Sequence, residues 1–346
     1  MSTTAGVFTE TVLNDLRVKA DELMFDDRIK QQFIPQIGIL DAIAAAQTAR
    51  ITPRFMQLKQ SNGGSKKYDV EVEWENACEI VAQDCTVCDI TGEKLSTNLD
   101  HYSLDFCKEV AFHVDEYDYV DNDFDFITSF AKGFMRADKQ LVEALAAYAV
   151  SVLNTNKGVN VFAGGPGVVS GSDTYLTAPF WGPNLMAYFM QVTQMNQFSS
   201  PVLASGANLF QDYFIFNKLA ANADGKGNAA LMGTFPIYFD MFNIDTVNTP
   251  ALITYLLSMG SVALGNRTYN PSRMEENGGA NWKRWTVPSK FVPGISYDAF
   301  YKQSCSNDMI KHDFKYKLTA DILVNPAGCT ATNTGILTFV CGAPPA

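Results

Sequence analysis

The sequence predicts an α+β fold, and three observations carry that expectation. One long amphipathic helix runs through the middle of the chain, short strands of alternating polarity stand before and after it, and a glycine and proline break follows the helix. The helix is predicted over Asp121 to Lys157. Phe124, Ile127, Phe130, Phe134, Leu141, Leu145, Tyr148 and Val152 recur there at spacings of three, four or seven, the stripe of a helix buried along one side. Asp121, Asp123 and Asp125 place negative charge at the positive end of that helix. A single rod of this kind, in a chain otherwise written in short strands and turns, reads as a strut, which points to architecture before chemistry.

The elements are justified in order. From about Thr9 to Gln47 the chain reads as an arm: a helix near Leu13 to Met24, punctuation at Pro35, then Ile37 to Ala46. Next comes a long hairpin. Tyr68, Val70, Val72 and Trp74 alternate with Asp69, Glu71, Glu73 and Glu75, a strict period of two. The preceding strand, about Arg50 to Gln60, carries Arg50, Arg54 and Lys59, and Ser61-Asn62-Gly63-Gly64-Ser65 supplies the turn through its Asn-Gly step. One face is therefore acidic, while the partner strand and tip, with Lys66 and Lys67, are basic.

Two alternating segments follow around Thr91-Gly92, the second being Phe106-Lys108-Val110-Phe112-Val114, which leads into the long helix. Gly164-Gly165-Pro166-Gly167 and Gly171 mark a lobe boundary. Beyond it, helices are predicted at about Asn184 to Met195 and Thr249 to Ser258, with an apolar strand around Phe235 to Ile244. A strand from Phe314 to Val324 and a last one from Gly335 to Cys341 end the chain. Strands at both ends of an insertion predict one sheet built from distant segments, with a second lobe between them.

Composition narrows the function classes. The 346 residues are 47% hydrophobic and 18% charged, the balance of an ordered chain that buries a sizeable core. No apolar run is long enough to span a bilayer, and the N-terminus lacks the basic start and apolar stretch of a secretory signal, so a soluble protein made in a cytoplasm is expected. A formal charge of -11 argues against a nucleic-acid reader, which needs basic surface, yet suits a container whose acidic wall does not grip the polymer. Seven cysteines without an export signal are expected to be mostly reduced, buried, small apolar side chains.

Motifs for catalysis or metal binding fall short. Cys85 and Cys88 form a C-x-x-C near Cys78, His101 and Cys107, but the second pair of a zinc site is wrongly spaced, and Cys107 falls within a strand pattern. The aspartates at 121, 123 and 125 imitate a calcium loop that fails at Phe126 and Lys132. The glycine stretches fit neither the dinucleotide nor the phosphate-loop spacing, and there is no G-x-S-x-G or H-E-x-x-H. Of three histidines, His113 alternates within a strand and is expected to be a satisfied structural imidazole. No catalytic residue, cofactor or metal ligand is assigned.

The order of these parts resembles the major capsid protein of tailed phages. The textures of Leu203-Ala204-Ser205-Gly206 and of Tyr297-Asp298-Ala299-Phe300-Tyr301-Lys302 are similar to that group. The resemblance spans nearly the whole chain and rests on layout and texture. It implies an HK97-like capsid fold: an N-terminal arm (1–49), an extended β-hairpin loop (50–76), a peripheral domain with a long spine helix (77–160), an inserted axial domain (161–295) and return strands of the peripheral domain (296–346). It implies self-assembly into hexamers and pentamers of an icosahedral shell around double-stranded DNA, assembled in a host cytoplasm and located in the virion. Scaffolding, portal and decoration proteins are further partners it implies. Because the arm begins almost at Met1, a scaffolding or cleaved segment is expected to be absent or supplied by another protein. The hairpin would lie over a neighbouring subunit, with Arg54, Lys59, Lys66, Lys67, Glu71, Glu73, Trp74 and Glu75 as inter-subunit contacts whose alternating charge sets register.

Two readings of other classes compete. A β-rich carbohydrate-active enzyme would use carboxylates such as Glu71 and Glu73, although their alternation along one strand face suits a surface better than a paired-acid pocket. A zinc-binding interaction module would be built on Cys78 to Cys107. Assembly size separates the capsid reading from both.

Overall fold

A computed structural model describes residues 10–25, 34–47, 69–74, 98–115, 126–162, 165–177, 184–207, 209–210, 235–248, 252–269, 274–276, 282–306, 309–325 and 334–344. The elements in chain order are α1 (Glu10–Phe25), α2 (Gly38–Ala46), β1 (Asp69–Trp74), β2 (Asn98–Ser103), β3 (Phe106–Asp115) and the long helix α3 (Phe126–Thr155). They continue with β4 (Val168–Ser170), β5 (Asp173–Leu176), α4 (Asn184–Met195), β6 (Val202–Ser205), β7 (Ile237–Phe239), α5 (Met241–Val247), β8 (Ile253–Leu257) and β9 (Val262–Asn266). The last are β10 (Glu275–Glu276), β11 (Trp282–Pro288), β12 (Ser296–Ser306), β13 (Met309–Val324) and β14 (Ile336–Cys341).

The chain forms two compact units. The first comprises Met1–Pro35, Leu104–Leu145 and Asn266–Ala320, and the second Gln36–Ser103, Ala146–Gly265 and Asp321–Ala346. Residues 266–295 lie in the first unit, and there β11 pairs with β12.

The first unit is a sheet of order β10-β11-β12-β13-β3, covered by the long helix. The sheet joins distant segments, as the alternation predicted: β3 pairs antiparallel with β13 from Lys311↔Asp115 to Ala320↔Phe106. In β13 the even positions His312, Phe314, Tyr316, Leu318 and Ala320 are buried, whereas Lys311, Asp313, Lys315 and Lys317 are half-buried on the opposite face. The helix presents Phe130, Phe134 and Leu141 to the core. Phe130 meets Phe314 edge-on with ring centroids 3.9 Å apart, and Phe134 lies 5.2 Å from Tyr316. At 30 residues the helix is roughly 45 Å long.

Gly133 is the point of closest approach between helix and sheet. A Cβ built there would run into the ring of Phe112 on β3. Replacing Gly133 by Ala gains up to about 1 kcal/mol of helix propensity but forces the ring aside, at about 1–3 kcal/mol. The steric cost wins, so Gly133→Ala is expected to lower the urea midpoint and Gly133→Val to lower it further. A midpoint that rises in the alanine variant would refute this close packing.

The buried imidazole of the first unit is His312, not His113. His312 is 4% exposed, its Nδ1 lies 2.8 Å from the Tyr301 hydroxyl, and the two rings stack. Burial holds its pKa below the usual 6.5, against the opposing pull of Asp313. A histidine with a depressed folded pKa stays neutral in the native state while the unfolded chain takes up a proton. Stability is therefore complete above about 6.5 and falls as the pH drops through the folded value. Thermal melts at descending pH should show this loss, and His312→Gln should reduce its slope below pH 6.5.

The second unit is built on a mixed sheet of order β4-β5-β14-β8-β6-β7, in which β14 with β5 and β6 with β7 are parallel pairs. Its core gathers Leu185, Phe189 and Val192 of α4 with Leu203, Leu256, Leu337 and Phe339 of the sheet. The sequence expectation of a helix at Thr249 to Ser258 is corrected here: residues 253–257 form β8. All five residues of Ile253–Leu257 are buried between β14 and β6, so a continuous apolar run that periodicity could not assign is a central strand. The apolar strand expected over Phe235 to Ile244 stops at Phe239. Asp240 ends it as the N-cap of α5, its side chain accepting the Asn243 N–H at 2.9 Å and the Ile39 N–H of α2 at 3.1 Å. One buried carboxylate thus seats α2 on the β7–α5 junction, where Gly38 passes against the Phe239 carbonyl.

Near the end of the long helix, in this same unit, Asn154, Asn248 and Tyr255 close a polar ring. Asn154 Nδ2 donates to Asn248 Oδ1 (2.6 Å), Asn248 Nδ2 to Tyr255 Oη (3.0 Å) and the Tyr255 hydroxyl to Asn154 Oδ1 (2.6 Å). Burial raises the Tyr255 pKa and keeps the hydroxyl protonated, against the opposing pull of its hydrogen bonds with Asn248 and Asn154.

Candidate functional site: strand β1 and the groove along β3

Three of the sequence-assigned contact residues, Glu71, Glu73 and Trp74, lie in β1. That strand pairs antiparallel with β2, with Glu71 opposite His101, Glu73 opposite Leu99 and Trp74 opposite Asn98. The alternating segment is therefore a strand, as predicted, and its partner among the described residues is 98–103. Val72 is fully buried, which agrees with an apolar face. Arg54, Lys59, Lys66, Lys67 and Glu75, the first strand of the expected hairpin, its Asn-Gly turn and the acidic lead-in Asp121 to Asp125 lie outside the described residues.

The first unit holds an open groove of about 470 Å³ between β3 and the long helix. Its strand wall is Val110 to Asp115 and its helix wall includes Lys132, Gly133, Arg136 and Ala137. Gly133 and Ala137 keep the helix wall low, while Lys132 and Arg136, four residues apart, set two positive charges on it. Asp115 is the acidic residue of the lining; Lys311 Nζ lies 4.0 Å and His113 Nε2 3.9 Å from its carboxylate. The strand wall is an edge: β3 ends its sheet among the described residues. The sequence reading missed Lys132 and Arg136 because it followed only the apolar stripe; their i, i+4 spacing beside two small residues was the available signal.

The same helix holds a buried carboxylate at Asp138. It accepts the Tyr297 hydroxyl, the Ser289 hydroxyl at 2.8 Å and the Lys290 N–H at 2.7 Å. Lys290 also reaches Asp21 of α1 through its Nζ at 2.7 Å. Burial pushes the Asp138 pKa above its ordinary range despite these donors. Asp138 and Tyr297 at its centre are buried, so the carboxylate acts as a structural clamp.

Two other expectations are corrected. Cys107 is exposed on β3 instead of buried, and Cys341 is half-buried. His113, expected to be a satisfied structural imidazole, sits with a 60% exposed side chain on the outer face of β3, 3.9 Å from the Asp115 carboxylate. Both follow from register: positions 107 to 113 of odd number lie on the face turned away from the helix. Cys78, Cys85 and Cys88 lie outside the described residues; among the described ones no group of three or more His, Cys, Asp or Glu is placed to hold a metal. No described helix is long and apolar enough to cross a membrane.

No family model matches the chain, and no curated protein matches it. Solved structures do, and many of them are phage capsid structures. One of Mycobacterium phage Che8 has a TM-score of 0.42 at 15% identity, over 78% of this chain and 84% of that one. The asymmetric unit of the bacteriophage PhiM1 mature capsid gives 0.43 at 11% identity, over 83% and 84%. The capsid of cyanophage P-SCSP1u gives 0.42 at 8% identity, over 86% and 90%.

Proposed function

We propose that the chain is a structural subunit, the major capsid protein of a tailed phage. It assembles into hexamers and pentamers of an icosahedral shell that encloses double-stranded DNA without reading it. The observation that carries this reading is internal to the molecule. A 30-residue helix lies on a sheet whose paired strands β3 and β13 come from segments some 200 residues apart, and a second unit, drawn from segments before, between and after those strands, has its own sheet. Such a frame, preceded by an arm and an acidic strand, fits a subunit that meets neighbours on several sides. The expected division into arm 1–49, hairpin loop 50–76, peripheral domain 77–160, axial domain 161–295 and return strands 296–346 belongs to this proposal. So do the contacts at Arg54, Lys59, Lys66, Lys67, Glu71, Glu73, Trp74 and Glu75.

Charge supports the container role. At -11 the subunit repels DNA overall, so a genome inside would be confined and not bound tightly. Scaffolding, portal and decoration proteins are the further partners of this reading. The test is negative-stain microscopy of the purified chain with light scattering for mass. Closed shells, tubes or sixfold rings are expected; a uniform monomer or dimer across concentration would overturn the assembly reading. Zinc content of the same preparation checks the rival metal-binding module at Cys78 to Cys107, which requires about one equivalent.

A further inference from the structure

We propose that the groove between β3 and the long helix is a phosphate-contact site, in which Lys132 and Arg136 hold the sugar-phosphate backbone of the enclosed duplex DNA and read none of its bases. The inference rests on the container reading and deepens it by naming the surface that meets the nucleic acid. The helix wall offers Lys132, Arg136 and Gln140, side chains that donate hydrogen bonds and carry no negative charge. Asp115 is the acidic residue of the described lining, and Lys311 and His113 stand within 4.0 Å of its carboxylate. Lys108 adds a third cation: it is exposed, one pleat beyond Val110 on the same face of β3.

Lys108, Lys132 and Arg136 make no ion pair among the described residues, whereas Lys139 on the same helix lies 4.0 Å from Glu143. Like charges four residues apart on a helix repel, so the pair adds nothing to helix stability. Lys132 and Arg136 stand about 6 Å apart along the helix axis and line one side of the groove instead of converging on a point. A row of cations suits a chain of linked phosphates better than a single ion, and DNA carries one phosphate per about 3.4 Å of each strand. Gly133 and Ala137 keep the wall beside them low enough for a backbone to lie against it. The acidic balance of the chain does not oppose this contact. At 0.1 M salt the screening length is about 10 Å, so a phosphate in the groove feels mostly the nearby cations and not the -11 of the whole chain. Two or three contacts also keep binding weak, as a container requires. They give a logarithmic salt slope of about -2 to -3, a loss of roughly tenfold to fortyfold between 50 and 200 mM salt.

The test is fluorescence anisotropy of a fluorescein-labelled DNA duplex titrated with the full chain at several salt concentrations. Weak binding at low salt with the slope given above is expected, equal for two duplexes of unrelated sequence. Lys132→Gln with Arg136→Gln should weaken it about tenfold or more and flatten the slope by about 2, and Lys108→Gln should flatten it by about 1 further. Lys302→Gln removes a cation from the opposite face of the same sheet, across from Asp313, and should leave the slope unchanged. Circular dichroism and melting check that each variant is native. No binding at low salt, a slope unmoved by the groove pair, or a slope moved equally by Lys302→Gln would overturn the site. So would displacement of the duplex by inorganic phosphate beyond that by sodium chloride of equal ionic strength, since the groove would then take single ions. The assay needs no particle, so binding by a chain that never assembles would sink the capsid reading and leave the groove as a DNA contact. Normal particles from a chain whose groove variants bind DNA like the parent would overturn the groove alone.

Discussion

Phe314→Ala is expected to cost about 3–5 kcal/mol, the largest effect of any single truncation in the first unit. Phe314 is 1% exposed at the centre of β13, and three rings surround it: Phe130 at 3.9 Å, Tyr301 at 4.9 Å and Phe112 at 5.5 Å between centroids. Deletion removes its transfer energy and leaves a cavity that cannot collapse. The strand is pinned by β12 on one side and β3 on the other, and the helix above it is held by Phe134 on Tyr316. The aromatic pairs add about 0.5–1.5 kcal/mol each beyond buried area. Phe314→Leu keeps most of the volume and should recover more than half of the loss. Urea unfolding followed by intrinsic fluorescence measures both. An alanine variant within about 1 kcal/mol of the parent would mean that helix and sheet do not share this core.

Asp138→Ala is the second large effect, at about 3 kcal/mol. Removing the carboxylate strands three donors, the Tyr297 and Ser289 hydroxyls and the Lys290 N–H, each costing about 1–3 kcal/mol if left buried and unpaired. Against this stands relief from burying a charge, visible in the raised pKa. The donors win because three groups lose a partner while one desolvation penalty is lifted. The sign of the pH dependence follows from the direction of the shift. With a folded pKa above the ordinary 3.8, stability falls as the pH rises through the window between the unfolded and folded values, and is flat above it. Asp138→Asn separates the two contributions. It keeps an acceptor for the hydroxyls, sets an amide against the Lys290 N–H, and abolishes that part of the pH dependence. The asparagine variant should therefore lose less than the alanine variant and lack the fall in stability that the parent shows as the pH rises through that window. An asparagine variant with the parent's full acid profile would exclude Asp138 as its source.

How much of this was legible beforehand depends on the element. The long helix, α4, β3 and β13 were all readable, because their periods of 3.6 or 2 repeat over enough residues to exclude the other. Asp138 was not singled out, although it interrupts the apolar stripe between Phe134 and Leu141, where an acid must find donors. The run Ile253–Leu257 was not readable as a strand, because burial on both faces erases alternation. The start of α5 was hidden behind Phe235 to Phe239, although Asp240 before Met241 was a cap signal. The acidic strand was legible as a strand, but its described partner, 98–103, was not.

The amino-acid sequence alone therefore determined which segments are helix or strand wherever one face meets water and the other meets protein, and it determined the acidic balance of the chain. It also determined that distant strands must share a sheet, since neither end could bury its apolar face alone. Tertiary structure decided which strands become neighbours, which histidine is buried, and that Lys132 and Arg136 stand along the groove beside β3. Pairing and register between segments some 200 residues apart are set by packing of the whole core, and local periodicity carries no record of them.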